Sequence, residues 1–322
     1  TKMKFIFINI FLVKVIFFHS SALLPSNFST WLQALEPEIL DYGVSKQTYI
    51  KTLSHLKDVN KKVLKLYNNQ PEFKITFDNY YNRNINQKRI KLGKDLLKKY
   101  QNILTEIHAK YDVAPEIIVS IWGIETNYGM YMGNFNVIEA LATLAYASRR
   151  KSFFKKELLN SLLIYETNFK NTDKVLIGSW AGAMGQGQFM PSSFLNYAVD
   201  YDKDKIVDIW NSHYDIFASI ANYLKSHGWK KQNYWSVEVQ FKEDFKKKIQ
   251  ENIDYNISIF KTAKLLNNFA NSEKINIKII KNNEKLRYFA IDKNFKIIKK
   301  YNNSDYYALI VGDLANKIKN IY

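Results

Sequence analysis

There is no cysteine anywhere in the 322 residues. Disulfides, zinc–thiolate sites, iron–sulfur clusters, a thiol nucleophile and lipid attachment on cysteine are therefore excluded together. The redox compartment stays open, because a chain of this length buries enough apolar surface to hold its fold without bridges. Acidic residues are also in deficit. Only 30 Asp and Glu stand against 47 Lys and Arg, a formal charge of +17. A nucleic-acid partner, an anionic wall polymer or membrane, and a codon bias toward Lys, Asn and Ile would each produce such a surplus. The lysines at Lys61 to Lys65, Lys246 to Lys248 and Lys299 to Lys300 are scattered instead of forming one stripe, and no nucleic-acid motif accompanies them, so no nucleic-acid partner is expected. Aromatic residues are plentiful, 15% of the chain, which fits either the same bias or a ligand that stacks on rings. With 47% hydrophobic and 24% charged residues, the chain reads as folded, with two or three domains.

Met3-Lys4, the apolar run Phe5 to Val13, Lys14 and Val15 to Phe18 form a basic start with a short hydrophobic stretch, followed by the small residues His19-Ser-Ser-Ala22. A spanning helix needs about 20 apolar residues. Residues 1–22 therefore predict a signal peptide cleaved after Ala22, with a retained anchor as the alternative, and a periplasmic protein.

Residues 23–110 read as a helical region. Phe28, Trp31, Leu32 and Leu35 recur at helical spacing, Gly43 punctuates, and Ser45 can cap a second helix through Ile50, Leu53 and Leu56. Tyr80 to Tyr111 predicts a further helix, and Asp112 is placed to cap the next one, which has Pro115 in its first turn and a stop at Gly129. Residues 111–230 form a second unit. Residues 231–300 change character: Val237, Val239 and Phe241 alternate, as do Ile275, Ile277 and Ile279, and Tyr288 to Ile298 reads as a hairpin around Asp292-Lys-Asn294. In residues 301–322, Ser304 can cap a last helix with Tyr307, Ile310, Val311, Leu314 and Ile318 on one face. The fold class is α+β, mainly α.

On the helix from Pro115 to Gly129, Ile118, Ile121, Trp122 and Tyr128 share a face, and Glu125 falls in the middle of it. A carboxylate among apolar side chains in the last turn of a helix is raised in pKa by burial and by the helix dipole. It is then suited to donate a proton near neutral pH. The alternative is a buried glutamate paired with Arg149 or Arg150. Downstream, Gly178 to Ser193 gathers four glycines with Ser179, Gln186 and Gln188. The segment lacks the Gly-Lys-Ser/Thr of a phosphate loop and better suits a loop offering amides to a sugar, or a tight interhelical turn.

The strings Ile121-Trp-Gly-Ile-Glu-Thr-Asn-Tyr-Gly129, Ala140-Leu-Ala-Thr-Leu-Ala-Tyr146 with Arg149-Arg150, Gly178-Ser-Trp-Ala-Gly-Ala-Met-Gly185 and Gln188-Phe-Met-Pro-Ser-Ser193 closely resemble the membrane-bound lytic murein transglycosylase B family. Ala218-Ser-Ile-Ala-Asn-Tyr-Leu224, His227-Gly-Trp229, Gln70-Pro-Glu-Phe73 and Tyr301-Asn-Asn-Ser304 continue the match. The resemblance implies a lysozyme-like helical catalytic core at 111–230. It also implies cleavage of the β-1,4 bond between N-acetylmuramic acid and N-acetylglucosamine without added water. By resemblance Glu125 is the single acid and base, Ser179 and Gln188 lie beside it, Tyr223 and Asn302 line the cleft, Tyr80 stacks on a sugar, and Arg149 with Arg150 contacts the muramyl peptide. No cofactor is required.

Asp200, Asp202, Asp204 and Asp208 occupy positions 1, 3, 5 and 9 of a loop, with Asp215 beyond, which is the oxygen-rich spacing of a calcium site. Some relatives carry calcium in such a loop. Lys205 stands where a tight calcium loop wants glycine, and a solvated acidic turn is the alternative. Partners implied by the resemblance are peptidoglycan strands and proteins of wall synthesis, the enzyme acting as a monomer. Lipoprotein relatives carry an N-terminal cysteine that has no counterpart here.

Overall fold

The computed structural model describes residues 27–69, 75–172, 174–241, 246–251, 253–256, 274–282 and 285–319. The expected signal at 1–22 and the Gln70-Pro-Glu-Phe73 string lie outside the described residues. The mainly helical α+β class expected from the sequence is the one observed.

The chain opens with α1 (Phe28–Asp41), α2 (Lys46–Thr52) and α3 (Lys61–Asn68). Asn27 caps α1 and Ser45 caps α2, each side chain accepting from a backbone N–H in the first turn. Gly43, at φ +90°, makes the turn between them. Two helices are expected over this stretch and three form. The cause is tertiary: Asn60 caps α3, and it also donates from its backbone to Thr143 and from its amide to Glu139, both at 3.0 Å. The single helix expected from Tyr80 to Tyr111 likewise divides into α4 (Phe77–Asn84), α5 (Gln87–Lys99) and α6 (Gln101–Tyr111). Asn86 accepts from Arg89 N at 2.9 Å and starts α5 afresh after the buried, extended Ile85.

The next helix, α7 (Pro115–Thr126), is buried on nearly every side, from Ile117 through Gly123. Asp112 does not cap it. That residue ends α6 in the left-handed region at φ 61°, its N–H donating to His108, and α7 begins on Pro115 without a side-chain cap. The helix stops at Thr126, three residues before the expected Gly129, and a run of positive φ follows through Asn127, Tyr128 and Gly129. Helices α8 (Val137–Ala147), α9 (Lys151–Asn168) and α10 (Pro191–Tyr197) pack in sequence on one another, and α11 (His213–Ser226) joins α10 to α7, with a two-residue ladder between β1 (Phe135–Asn136) and β2 (Ile177–Gly178).

An antiparallel sheet follows, in the order β3 (Ser236–Val239), β6 (Lys285–Ile291), β5 (Lys274–Asn282), β4 (Asp254–Asn256). The hairpin expected around Asp292 is replaced by β5 pairing with β6, and Asp292 caps α12 (Lys293–Tyr301). Its carboxylate accepts from Lys293 N and Tyr234 N, while the fully buried Asn294 donates to the carbonyls of Lys230 and Asn233. Those bonds demand a helix start there. Last comes α13 (Asp305–Lys319), with Ser304 accepting from Tyr307 N in its first turn. It runs back along α7, α5 and β3, and Gly312 lies so close to Trp235 and Ser236 that a Cβ would have no room. Among the described residues, no helix is long and apolar enough to cross a membrane.

Candidate active site

Glu125 sits in the last turn of α7, half-buried, and Tyr307 Oη from α13 donates to its Oε1 at 2.6 Å. Burial pushes the carboxyl up to about 7, and the Tyr307 hydrogen bond opposes that rise by favouring the anion. No ion pair joins Glu125 to Arg149 or Arg150 among the described residues. The charge of Glu125 also bears on Tyr301, whose hydroxyl donates to the Gly187 carbonyl at 2.7 Å.

The glycine-rich segment wraps the end of α7. Gln186 is buried and both ends of its amide are used internally: Oε1 accepts from Trp122 Nε1 at 2.7 Å and Nε2 donates to the Trp210 carbonyl at 2.8 Å. Its carbonyl accepts from Thr126 Oγ1. Gln186 is thus a clamp rather than an amide offered to a sugar. At Gly187 a Cβ would lie 2.7 Å from Ile216 and 2.9 Å from Tyr301 Oη, so only glycine lets that backbone reach the tyrosine. Ser179 Oγ accepts from Ala183 N at 3.0 Å. Gln188 takes φ +50° and donates from Nε2 to the Met132 and Gly185 carbonyls. Both side chains are half-buried.

Tyr223 on α11 donates to the Lys300 carbonyl and packs edge-on to Tyr301 at 4.8 Å, with burial raising its hydroxyl to about 12. Asn302 is exposed at the C-terminal end of α12, immediately after Tyr301. Tyr80 on α4 lies 6.1 Å from the Tyr306 ring and bears electrostatically on Tyr307. Tyr301 and Tyr307 thereby bear on Glu125, Tyr223 packs against the first and Tyr80 bears on the second, the four tyrosines coming from four helices. Arg149 and Arg150 occupy the exposed α8–α9 turn, where Arg150 stacks on Phe153 at 4.1 Å and Arg149 N donates to Tyr67.

In the acidic loop, carboxylate oxygens of Asp200, Asp202 and Asp204 all lie within 4.8 Å of one another. Asp200 Oδ1 is buried with no hydrogen-bond partner, and Lys205 adopts φ +76°. Asp208 and Asp215 do other work. Asp208 Oδ1 accepts from the backbone of Trp210 and Asn211, while the fully buried Asp215 accepts from Tyr201 N and Asp208 N and is raised in pKa by its burial.

A model of the transglycosylase SLT domain matches residues 27–316. The chain belongs to that family. Membrane-bound lytic murein transglycosylase B of Escherichia coli (strain K12) is 31% identical over 303 residues, covering 89% of this chain and 81% of that protein. SltB3 from Pseudomonas aeruginosa, solved in complex with NAG-NAM-pentapeptide, superposes with a TM-score of 0.81 at 34% identity, covering 92% of this chain and 80% of that one. The Escherichia coli lytic transglycosylase Slt35, solved in complex with calcium, gives 0.75 at 29% identity, covering 91% and 93%. Like other members of the SLT family, this chain has a lysozyme-like helical core, and it is a lytic transglycosylase acting on peptidoglycan.

Tyr307 lies where the sequence places it, on the buried face of the last helix, but its hydroxyl, which reaches Glu125, is what the sequence does not reveal. A buried phenol needs an acceptor for its O–H, and the one acid set into an apolar helix face, Glu125, was the available signal. The raised carboxyl also has a consequence for stability. Below about pH 4.5 Glu125 is protonated in both folded and unfolded chains; between there and about 7 only the unfolded chain ionises, so folding loses free energy as pH rises. Glu125→Gln keeps the acceptor for Tyr307 and removes this loss. The variant should be more stable than the parent by about 1 to 3 kcal/mol at pH 8, with the gap closing by pH 4, as read from denaturant unfolding at both pH values.

Proposed function

We propose that Glu125 is the single acid and base with which this lytic transglycosylase cleaves the β-1,4 bond between N-acetylmuramic acid and N-acetylglucosamine. The observation that carries the reading is a carboxyl held near pKa 7 by burial, with a neutral hydroxyl as its partner. Near neutral pH the acid and the anion are both well populated, so one group can serve both halves of a reaction. The protonated carboxyl gives its proton to the glycosidic oxygen as the bond to the muramyl C1 breaks. The carboxylate then takes the proton of the muramyl C6 hydroxyl as that oxygen closes on C1, leaving a 1,6-anhydro sugar. With Oε1 held by Tyr307, Oε2 is the oxygen left to carry the proton. Ordinary glycosidases need a second carboxylate for water or for a covalent intermediate. Among the described residues, no second carboxylate bears on Glu125, which supports the internal nucleophile over hydrolysis. In this reading Ser179, Gln188, Tyr223, Asn302 and Tyr80 line the cleft, and Arg149 with Arg150 reaches the muramyl peptide. Export by residues 1–22, a periplasmic location and action as a monomer complete it, with proteins of wall synthesis as its further partners.

Three carboxylates around an unsatisfied buried oxygen, in a loop whose sixth residue already has the glycine-like φ, fit a calcium ion. We assign Asp200, Asp202 and Asp204 as its side-chain ligands. The ion would fix the loop and take no part in bond cleavage.

Digestion of sacculi followed by mass spectrometry tests the reaction: products one water lighter than hydrolytic muropeptides are expected, and hydrated reducing ends alone would establish a muramidase. Glu125→Gln should lower turnover by a thousandfold or more, on the order of a lost general acid with its base, while still retaining strands. Normal cleavage by that variant would overturn the mechanism. Because the acid form is required first, kcat/KM should fall above about pH 7, and Tyr307→Phe should move that limb to higher pH by removing the bond that favours the anion. Calcium at about 100 times its Kd should add about 2.7 kcal/mol to stability, and the Asp202→Asn Asp204→Asn double variant should lose that gain in a thermal melt.

A further inference from the structure

Arg287 on β6 is the centre of a charged cluster that joins the sheet to α4. Its Nε and Nη2 donate to the two carboxylate oxygens of Glu238 on β3, each at 2.7 Å, and its Nη1 donates to Asp78 Oδ1 on α4 at 2.9 Å. The guanidinium also lies over the rings of Phe77 at 4.8 Å and Tyr81 at 4.6 Å, both on α4. Only 19% of its side chain is exposed. A two-pronged, stacked arginine of this kind fixes direction as well as distance. The helix it grips has eight residues, of which Phe77 alone is buried, and a helix so short is unstable by itself. Two further contacts tie α4 to α13: Tyr81 Oη donates to Asp313 Oδ2 at 2.7 Å, and Phe77 packs edge-on to Tyr306 at 5.0 Å. At about 100° per residue, Phe77, Tyr81 and Asp78 span one face of α4, and Tyr80 stands about 60° beyond the edge of that face. The grip on that face therefore sets where Tyr80 points. The Tyr80 ring lies 6.1 Å from that of Tyr306 and bears on Tyr307, the donor to Glu125. Among the described residues, no member of the Arg287 cluster bears on Glu125 itself.

We propose that Arg287 is a positioning residue for strand binding: by fixing α4 to the sheet it holds Tyr80 in the wall of the cleft, and its effect on substrate passes through that ring. The proposal rests on the reading of Tyr80 as a cleft residue that stacks on a sugar. It gives the sheet a part in substrate binding, although none of its strands supplies a residue to the cleft in that reading. Lysine cannot take the place of Arg287, because one ammonium group neither forks onto Glu238 while reaching Asp78 nor lies flat between Phe77 and Tyr81. A cluster that only stabilised the fold would lower affinity for strands, if at all, whether or not the Tyr80 ring is present.

The test is a double-mutant cycle on binding, with NAG-NAM strand fragments as the probe and Glu125→Gln protein as the parent so that no strand is cut. Tyr80→Ala should weaken binding about tenfold, on the order of one lost stacking ring. Arg287→Met and Arg287→Lys should each weaken it by threefold or more, and neither should weaken it further once Tyr80→Ala is present. Asp78→Asn cuts the tie to α4 and leaves the fork on Glu238 in place; it should cost about twofold to threefold, again only while Tyr80 is there. In the cutting enzyme Arg287→Met should appear as a raised KM rather than a lowered kcat. If Arg287→Met fails to fold, Asp78→Asn decides by the same comparison. Unchanged affinity in Arg287→Met and Asp78→Asn, a full loss that persists in the Tyr80→Ala background, or a fall in kcat with KM unchanged overturns the proposal. Tyr80→Ala binding as tightly as the parent would instead overturn the reading of Tyr80 as a cleft residue, and the proposal with it, so the two failures are distinguishable.

Discussion

The hydrogen bond from Tyr307 to Glu125 joins the last helix of the chain to the most buried one. A half-buried carboxylate on α7 is poorly tolerated unless something donates to it, and the nearby donors on α7, Trp122 Nε1 and Thr126 Oγ1, are already spent on Gln186. The donor comes from α13. For that bond to exist, the chain between them must run out through the sheet and return with its final helix flat against α7. Gly312 lets α13 approach Trp235, Trp235 Nε1 and Tyr234 Oη both donate to Asn316 Oδ1, and Asn316 Nδ2 donates to the Ser236 carbonyl. The sheet module thus carries little of the chemistry itself. It anchors the helix that supplies the partner.

A second chain of bonds reaches α7 from the other side. Asp208 accepts from Trp210 N, the Trp210 carbonyl accepts from Gln186, and Gln186 accepts from Trp122 Nε1, one turn before Glu125. The acidic loop and α7 are therefore connected through three hydrogen bonds, the last of them buried, where a low local dielectric strengthens it. An ion that orders residues 200–208 would stiffen this route without touching substrate. Asp215 shows how much the loop depends on organised charge. It is fully buried, and two backbone N–H groups on opposite sides of the loop donate to it, so its burial is exchanged for the loop's closure.

Glu125 was legible because helical periodicity isolates one wrong residue on an apolar face, and burial is what makes such a residue chemically useful. The amphipathic face of α13 was equally legible, as were the caps at Ser45 and Ser304, since these are local signals. What failed depended mostly on contacts distant in sequence, the local cap at Asn86 being the exception. Asn60 and Asn86 break helices that local propensity would continue, through bonds to Thr143 and Glu139 in one case and a new cap in the other. Asp292 looked like a turn between strands, and only Tyr234, 58 residues earlier, shows why it caps a helix. Tyr307 was hidden for a different reason. A periodicity argument counts a phenol as apolar, so it reports the ring's burial and is silent on the hydroxyl.

The tension at the site is between two requirements on one side chain. In the mechanism proposed, Glu125 must hold its proton near neutral pH to protonate a leaving oxygen, which burial favours; to take a proton back from a sugar hydroxyl, its anion must be reachable, which burial opposes. A fully apolar pocket would satisfy the first and block the second. Tyr307 moderates the desolvation by stabilising the anion, and the balance leaves the carboxyl at about 7. A lysine or arginine in that place would overshoot, holding the carboxylate ionised and unable to act as an acid. The neutral phenol is therefore the partner that the two-step use of one carboxyl requires, and the surplus of positive charge that marks the whole chain has to be kept off this one group.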